Sequence, residues 1–426
     1  MKGKKVCIIG LGYVGLPLAY LCIKKGYDVT GFDIDNNKIA IVNKGKLPIK
    51  DDAVDKKYGK YLKKLKATNN PKIINDSDIV VVCVPTPVDE NHNPDLKPLK
   101  GAVKTISENL TKDKLVIIES TIYPGTMKEI VKPELEKSGL IAGKDFQLSH
   151  CPERIDPGNK KWDIESINRV FGSFSDKGAK ITEEFYRSIL DGKLKKTSDV
   201  KVAEAIKIVE NTFRDVNIAL VNELAKSFEK LDIDIVETIN GAATKPFAFM
   251  PHYPGCGVGG HCIPVDPYYL IDKGKQVGFE HNFLALARSI NNNMPKHTVK
   301  RCVEGLNEVN KSIKGTKIAI LGLAYKKNVD DIRNSPSFDI IKELKKLKAD
   351  LLIYDPYYTE KNTDKDLDTV LKKADCLIII TDHDEFKKID YKKFRDNKIK
   401  VIVDGRNIFD KNKIRNLGIV YKGIGR

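Results

Sequence analysis

The chain of 426 residues contains no CxxC pair among its eight cysteines and no apolar run long enough to cross a bilayer. The missing cysteine pairs argue against a structural zinc site and against a disulfide framework. The missing apolar run argues against a membrane protein, because a helical span needs about 20 consecutive apolar residues. The sequence therefore predicts a protein with no metal site and no membrane partner.

The N-terminus also lacks the marks of a secretory leader, although lysines precede its first apolar run. Three glycines, Gly10, Gly12 and Gly15, interrupt that run, and no small-residue cleavage site follows it. We interpret residues 6–10 as a first β-strand instead. The expected location is the cytoplasm.

The charge balance is strongly basic, with 74 lysines and arginines against 58 acidic residues and a net charge of +16. A basic balance of this size is found in proteins that bind nucleic acid. Here, however, the lysines lie singly or in pairs among acidic residues. This pattern favours a solvated surface over a nucleic-acid partner, and it also suits a small anionic substrate.

Buried parallel strands are predicted in both terminal parts of the chain, because β-branched runs there alternate with segments of helical spacing. The N-terminal runs cover residues 6–10, 28–33, 78–87 and 114–121. The C-terminal runs cover residues 317–326, 351–356, 376–386 and 400–407. With 426 residues and 41% hydrophobic content, two or three domains are expected.

The middle of the chain has a helical pattern. Residues 199–232 contain no Gly or Pro and predict one long helix or two abutting helices. A loop rich in Gly and Pro follows at 251–267, and a second helical stretch runs from about residue 282 to 309.

The two strand-rich parts echo each other. Residues 4–13 align without gaps on 316–325, so that Gly10 falls on Gly322, and Asp33 and Asp355 each end the following strand. The predicted fold class is α/β, with two Rossmann-like doubly wound domains joined by a central domain of long helices. The predicted boundaries are 1–198 for the N-terminal dinucleotide domain, 199–310 for the helical domain and 311–426 for the second Rossmann-like domain.

A dinucleotide site is predicted at the first glycine turn, which reads GxGxxG between a strand and a helix. Gly10 permits the tight turn, Gly12 lets the backbone approach a pyrophosphate, and Gly15 lets the helix pack on the strand. Asp33 lies 18 residues beyond Gly15, where a carboxylate can bind the ribose hydroxyls. Because that carboxylate would repel a 2′-phosphate, NAD is favoured over NADP.

The corresponding turn of the second Rossmann-like domain has lost this fingerprint. Ala324 stands where Gly12 stood, and Lys327 stands where Gly15 stood. Lys326, Lys327 and Arg333 are nevertheless expected beside the carboxyl edge of the sheet, where basic side chains could hold a nucleotide diphosphate. An ordinary charged loop is the equal alternative.

One cysteine stands apart from the others. Cys7, Cys22, Cys83 and Cys376 lie in apolar patterns and are interpreted as core residues. Cys262, in contrast, follows three glycines and precedes Asp266 by four residues, which suggests a presented thiol that could attack a carbonyl as its thiolate. Cys256 is a nearby rival, and His261 is given an orienting rather than a catalytic role.

Several of these segments resemble the UDP-glucose/GDP-mannose dehydrogenase family, and the resemblance covers nearly the whole chain. The segments that carry it are GLGYVGLP (10–17), VPTP (84–87), ESTIYPGT (119–126), CPER (151–154), KIVENTFRDVNIALVNELA (207–225), GVGGHCIPVDP (257–267), GLAYKKNVDDIRNSP (322–336) and DGRN (404–407). The resemblance implies two Rossmann domains, NAD as cofactor, a UDP-sugar as substrate and a homodimer formed through the central helices.

The resemblance also implies a set of site residues. Those implied in catalysis are Cys262, Lys207, Asn211, Asp266, Thr121 and Glu153. Those implied in cofactor binding are Gly10, Gly12, Tyr13, Val14, Gly15, Asp33, Lys38, Thr86, Thr121 and Arg333. Those implied in substrate binding are Arg154, Ile155, Lys207, Asn211, Arg214, Gly259, Tyr325, Lys326 and Arg406.

The implied reaction is a four-electron oxidation of the sugar C6 hydroxyl to a carboxylate, through a thiohemiacetal and a thioester on Cys262. UDP-glucose dehydrogenases usually carry a second glutamate where this chain has Pro157, so Glu153 cannot share acid–base work with such a partner. The pattern resembles that of the branch acting on UDP-N-acetylhexosamines, and the run at residues 243–255 resembles the members that act on UDP-N-acetylglucosamine. UDP-N-acetylmannosamine and UDP-glucose are the alternatives, and a non-catalytic binding protein is the least favoured.

Overall fold

The structure, a computed structural model, describes residues 3–49, 52–155 and 162–426, with the backbone alone at 52 and 53. The chain forms two compact units, Met1–Glu210 with Tyr268–Phe279, and Asn211–Pro267 with Glu280–Arg426. Within the described ranges, no helix is both long enough and apolar enough to span a membrane.

The first unit is built on an eight-stranded sheet of order β3-β2-β1-β4-β5-β6-β7-β8. Its strands are β1 Lys5–Ile9, β2 Asp28–Phe32, β3 Lys66–Thr68, β4 Ile79–Val82, β5 Leu115–Ile118, β6 Gln147–His150, β7 Arg169–Ser173 and β8 Leu194–Lys196. All neighbouring pairs are parallel except β6 and β7. Because β1 pairs with β2 on one side and β4 on the other, the strand order reverses beside β1.

Helices and short turns connect these strands. They are α1 Gly15–Lys24, α2 Asn36–Asn43, α3 Asp52–Tyr58, α4 Lys72–Asp76, α5 Lys97–Ser107, α6 Lys132–Glu136 and α7 Asp176–Ile189, with a 3₁₀ segment at Gly59–Lys64 and a π-helical turn at Met127–Val131. β1, β4 and β5 are buried almost throughout, which explains their continuous runs of Val and Ile.

The central part of the chain supplies four helices: α8 Val200–Leu231, α9 Ile235–Ala242, α10 Asp266–Gln276 and α11 Asn282–Glu308. α8 is a single uninterrupted helix of 32 residues, so the alternative of two abutting helices is wrong. In the second unit, buried apolar side chains of α8, α9 and α11, among them Val221, Ile235 and Met294, form one small core.

The second unit contains a five-stranded parallel sheet of order β10-β9-β11-β12-β13. Its strands are β9 Lys317–Leu321, β10 Asp350–Tyr354, β11 Cys376–Ile379, β12 Val401–Asp404 and β13 Val420–Gly423. Its helices are α12 Pro336–Lys346, α13 Leu367–Lys373, α14 Asp384–Lys387, α15 Lys392–Asp396 and α16 Lys411–Arg415, with a 3₁₀ turn at Thr359–Lys361. Separate apolar cores cover the two faces of the sheet.

The predicted α/β class with two doubly wound sheets is therefore confirmed, although the predicted runs 78–87, 317–326 and 376–386 each extend well beyond the strand that they contain. The run 78–87 forms a strand only to Val82, and Pro85 and Pro87, which lack an N–H for the ladder, lie in the loop beyond it. The run 376–386 forms a strand only to Ile379, and its end folds into α14.

Candidate functional site

The glycine turn after β1 has the geometry that the sequence predicts. Gly10 has a φ of +95°, and a Cβ there would lie 2.8 Å from the Cys83 carbonyl oxygen. A Cβ on Gly15 would lie 1.9 Å from the carbonyl oxygen of Gly10, so α1 starts in contact with the turn. A Cβ on Gly12, in contrast, would meet no atom within 4 Å. The fold needs glycine at 10 and 15, and the open space at Gly12 fits a bound pyrophosphate.

Asp33 follows β2 at the side of this turn. Its Oδ2 accepts the amide of Leu11 at 2.8 Å and its Oδ1 accepts the amide of Asp35 at 2.9 Å. The Lys38 ammonium lies 3.7 Å from Oδ2. Each carboxylate oxygen can accept a further hydrogen bond, so the group retains capacity for ribose hydroxyls.

The other predicted cofactor residues follow strands of the same sheet. Tyr13 and Val14 lie within the turn, Thr86 is buried beyond β4, and Thr121 is half-buried beyond β5. β2, β1, β4 and β5 are consecutive in the sheet, so their carboxyl ends form one edge at the point where the strand order reverses. Open parallel sheets bind nucleotides at this point. The residues present thus fit NAD.

A buried ionic cluster, which the sequence analysis missed, lies in the first unit. The guanidinium of Arg169 contacts the carboxylates of both Glu119 and Glu153, and the hydroxyl of Tyr186 donates to Glu119. Burial and the like charge of Glu153 raise the pKa of Glu119 to about 7, although the charge of Arg169 and the hydrogen bond from Tyr186 act in the opposite direction.

Glu153 is held by this cluster and in turn holds its own loop. Its Oε1 accepts the amides of Arg154 at 2.6 Å and Ile155 at 2.8 Å. Arg154, predicted to bind substrate, also pairs with Glu210 through its guanidinium. Pro157, the departure noted in the sequence, lies outside the described residues.

A second missed carboxylate, Glu204 of α8, holds the loop that follows β5. Its two oxygens accept the amides of Gly125 and Met127, each at 2.7 Å. Its pKa is raised to about 7, chiefly by burial. Thr121 belongs to this loop, and the buried Lys207 lies one helical turn beyond Glu204.

Three of the predicted catalytic residues meet in the second unit. The side-chain amide of Asn211 donates to the carboxylate of the buried Asp266, and the amide of Asp266 donates to the carbonyl oxygen of Cys262 at 2.9 Å. Cys262 is exposed, whereas the other seven cysteines are buried. Asn211 follows Lys207 by one turn of the continuous helix α8.

The glycine-rich loop before Cys262 lies on the carboxyl edge of the second sheet. A Cβ on Gly259 would lie 2.6 Å from the Tyr325 Cβ, and one on Gly255 would lie 2.9 Å from Nη1 of Arg406. The amide of Gly260 donates to the Arg333 carbonyl oxygen at 2.9 Å. The loop thereby brings together Gly259, Tyr325 and Arg406, all three predicted to bind substrate.

The rival cysteine, Cys256, is a core residue of this edge rather than a presented thiol. It is fully buried, and a Cβ on Gly405 would lie only 2.0 Å from its Sγ. Burial raises the pKa of the Cys256 thiol to about 11, which disfavours a thiolate. Burial also lowers the pKa of His261, helped by the charge of Arg333, so this imidazole is held neutral.

The predicted binding residues not yet described are Lys326, Arg214 and Arg333. Lys326 is half-buried in the loop after β9, and Arg214 is exposed on α8. Arg333, predicted on the cofactor side, belongs to the second unit, and its guanidinium binds the carboxylate of Asp331. Its expected role in cofactor binding stays a prediction.

Comparison with known proteins connects these features to a family. Residues 4–190 match the NAD binding domain, residues 201–293 the central domain and residues 319–411 the UDP binding domain of the UDP-glucose/GDP-mannose dehydrogenase family. The predicted NAD cofactor is thereby confirmed, and a UDP-binding domain accords with the predicted substrate class.

The similarity extends over the full length of curated relatives. UDP-N-acetyl-D-mannosamine dehydrogenase of Pyrococcus horikoshii is 37% identical over 99% of both chains, and the solved structure of a protein so described from that organism superposes with a TM-score of 0.93. UDP-N-acetyl-D-glucosamine 6-dehydrogenase of Pseudomonas aeruginosa is 38% identical over 91% of this chain and 93% of its own. The chain therefore belongs to the UDP-glucose/GDP-mannose dehydrogenase family, as an NAD-dependent UDP-sugar dehydrogenase.

Proposed function

We propose that this enzyme oxidises the C6 hydroxyl of a UDP-N-acetylhexosamine to the carboxylate, with Cys262 as a covalent nucleophile. The observation that carries the proposal is the arrangement around the exposed Cys262. The backbone amide of Asp266 donates to the Cys262 carbonyl oxygen, and the side-chain amide of Asn211 donates to the Asp266 carboxylate. The two relatives described above act, by their names, on UDP-N-acetylhexosamines.

The chain's own residues supply the covalent chemistry. NAD⁺, when bound by the Gly10–Gly15 turn and Asp33, supplies the hydride acceptor for both oxidations. The Cys262 thiolate adds to the C6 aldehyde left by the first oxidation, forming a carbon–sulfur bond and a thiohemiacetal. Loss of hydride from the same carbon gives a thioester, so the aldehyde stays attached between the two steps.

Hydrolysis of the thioester completes the reaction. Asp266 holds a water and takes its proton as the water attacks, and the carbon–sulfur bond breaks to release the acid and restore Cys262. The proton that the C6 hydroxyl loses in the first oxidation is exchanged with solvent through Lys207, which also stabilises the oxyanion with the support of Asn211. Thr121 helps to hold water or cofactor. Glu153 acts by shaping the loop that presents Arg154 and Ile155.

Substrate recognition is assigned to the residues that the family resemblance implies. In the second unit, we propose that Gly259, Tyr325, Lys326 and Arg406 bind the UDP-sugar, with Arg333 on the nucleotide side. Arg154, Ile155 and Arg214 complete the set. We favour UDP-N-acetylglucosamine because residues 243–255 resemble the corresponding run of dehydrogenases for that sugar. UDP-N-acetylmannosamine is the alternative, and UDP-glucose is a more distant one. The two named relatives, at 37% and 38% identity, support the N-acetylhexosamine class without separating its members.

The substrate test is a panel of UDP-sugars in which NADH and uronic acid are both quantified. UDP-N-acetylglucosamine is expected to turn over fastest, with two NADH formed per acid. Turnover restricted to another UDP-sugar would overturn the substrate assignment alone. Intact binding of NAD and UDP-sugar without any NAD reduction would instead identify a non-catalytic binding protein.

The covalent step has its own test. Cys262→Ala is expected to lower acid formation by roughly 10³-fold or more, as removal of a catalytic nucleophile does. Trapping and mass spectrometry should locate the adduct on Cys262 in the wild type. Undiminished activity of Cys262→Ala, or release of the aldehyde by the wild type, would contradict the covalent mechanism.

We further propose a homodimer formed through the central helices. In the second unit, large apolar side chains of α8 and α11 are exposed, including Phe213, Leu220, Phe283 and Leu286. Exposed apolar patches of this kind are typical of interfaces. A monomeric mass in solution at micromolar concentration would contradict this proposal.

The domain boundaries 1–198, 199–310 and 311–426, and a cytoplasmic location, are proposed on the sequence pattern.

A further inference from the structure

A buried chain of hydrogen bonds in the second unit runs from α11 and α8 to the glycine-rich loop. Arg288 and Asn291 of α11 both donate to Oδ1 of Asp215, the latter at 2.8 Å. The side-chain amide of Asn222, on α8, donates to Oδ1 of Asn291 at 2.9 Å. Oδ1 of Asn222 then accepts the backbone amide of Gly255 at 3.0 Å.

The groups at the two ends of this hydrogen-bond network determine which atom donates and which accepts in every hydrogen bond between them. The Gly255 amide is only a donor, so Asn222 must present its oxygen to the loop and its nitrogen to Asn291. The Asp215 carboxylate, paired with Arg288, is only an acceptor, so Asn291 must present its nitrogen there. Donors and acceptors thus alternate without conflict along the whole chain.

Burial makes each of these hydrogen bonds consequential. Asp215 and Asn222 are fully buried, and Arg288 and Asn291 are at most 3% exposed. Water cannot replace a missing partner at such positions, so a broken link leaves a buried polar group unpaired. Loss of one link in this network is therefore expected to shift the backbone attached to it.

The attached backbone is the start of the loop that carries Cys262. Gly255 is followed by Cys256, which packs against Gly405, and Gly260 is bound at both its amide and its carbonyl by the segment after β9. These contacts fix the middle of the loop on the second sheet. The hydrogen bond from the Gly255 amide to Asn222 attaches the start of the loop to α8, the helix that also carries Asn211.

We propose that Asn222, oriented by Asn291 and Asp215, is a positioning residue that sets the backbone of the Cys262 loop relative to Asn211. The proposal rests on the catalytic function assigned above to Cys262. Asn222 acts through Gly255 and touches neither substrate nor cofactor in this assignment. Its loss should therefore affect the chemical step more than the binding of NAD.

The first test is Asn222→Asp, which keeps the volume of the side chain and its acceptor toward Gly255. The new carboxylate would face Oδ1 of Asn291, so the hydrogen-bond network is broken only between positions 222 and 291. Amide hydrogen exchange of the peptide covering residues 253–262 is expected to rise roughly tenfold. kcat is expected to fall about tenfold, with KM for NAD unchanged within twofold.

The second test combines Asn222→Asp with Asn291→Ala, which removes the other partner of the same hydrogen bond. Because both changes break one link, the losses of loop protection and of kcat in the double variant are expected to be clearly smaller than the sum of the two single losses. Additive losses would show that the two side chains act independently, and would overturn the proposal.

The matched control is Asn293→Asp, an exposed asparagine of α11 whose amide binds the Ser289 carbonyl of its own helix. It should leave exchange of residues 253–262 and kcat unchanged. Unchanged loop exchange in folded Asn222→Asp would also overturn the proposal. The exchange measurement needs no turnover, so it decides the positioning claim even if the wild type oxidises no UDP-sugar and the function proposed above fails.

Discussion

The two glycine turns of this protein begin alike and diverge after one residue. Gly10 and Gly322 follow the first strand of their sheets with φ of +95° and +94°, and in each turn an aspartate at the end of the next strand accepts the amide of the following leucine. At the next position a Cβ on Gly12 would enter open space, whereas Ala324 is fully buried.

The aspartates show the same divergence. Asp355 is fully buried and accepts the amides of Ala324, Tyr357 and Tyr358 as well as a hydrogen bond from His383. Asp33 accepts the amides of Leu11 and Asp35 and lies near Lys38. One turn is thus built around space for a ligand, and the other is closed by the protein itself. A duplicated strand-turn-helix pattern is therefore evidence of fold, and the contents of the turn are evidence of function.

The largest effect is expected at Gly15, which the first turn requires and the second has replaced by Lys327. In Gly15→Ala the new Cβ would lie 1.9 Å from the Gly10 carbonyl oxygen, so the turn must open. The free energy of unfolding of the first unit should fall by about 3 kcal/mol or more. Denaturant titration measures it, with Gly101→Ala as control, because a Cβ on this helical glycine meets nothing within 4 Å. Equal stability of the two variants would show that the first turn is not closed on α1.

The next prediction concerns the dependence of stability on pH, and it distinguishes Asp355 from Asp33. Burial raises the pKa of Asp355, but the hydrogen bond and charge of His383 and the backbone amides outweigh it and lower the pKa to about 2. A lowered pKa means that the carboxylate stabilises the fold above the ordinary value near 4 and loses this effect as pH falls through about 2. Asp355→Asn should therefore lose about 2 kcal/mol of stability at pH 7, with the two proteins converging in strong acid.

The corresponding variant of the first turn should behave differently. Asp33→Asn is expected to weaken NAD binding, measured by calorimetric titration, whereas Asp355→Asn should leave NAD affinity unchanged. Thermal unfolding between pH 2 and 7 provides the stability measurement. A constant stability difference between wild type and Asp355→Asn over this pH range would contradict the assigned carboxylate.

The smallest effects come from exchanging the residues at which the turns diverge. Gly12→Ala should leave stability within about 0.5 kcal/mol but weaken NAD binding at least tenfold, because the added methyl occupies the open space. Ala324→Gly should cost about 1 kcal/mol of stability and create no NAD site. Unchanged NAD affinity in Gly12→Ala would refute the interpretation of that space.

Periodicity and turn chemistry were sufficient to predict four strands of each sheet, the helical stretch at 199–232 and the glycine turns. Several buried polar groups outside the predicted site were missed, although α8 carries a signal for three of them. Glu204, Asp215 and Asn222 occupy the same buried stripe of this helix as Ile208 and Ala219. A polar residue at an apolar position indicates a buried partner, but its identity depends on which loop the fold brings there. The Arg169 cluster could not be predicted for the same reason, since its carboxylates are far apart in sequence.

The closure of the second turn by Ala324 has a consequence for the solution behaviour of the enzyme. Asp355 binds the backbone amides of Leu323 and Ala324 in that turn, so they are not offered to a ligand. Under the function proposed above, a nucleotide diphosphate is held instead by the cationic side chains of Lys326, Lys327, Arg333 and Arg406. Attraction between exposed charges is screened by dissolved ions over about 10 Å at 0.1 M ionic strength. Retention of the sugar nucleotide is therefore expected to decline as ionic strength rises, so the salt concentration of the surroundings tunes how fully the enzyme is loaded.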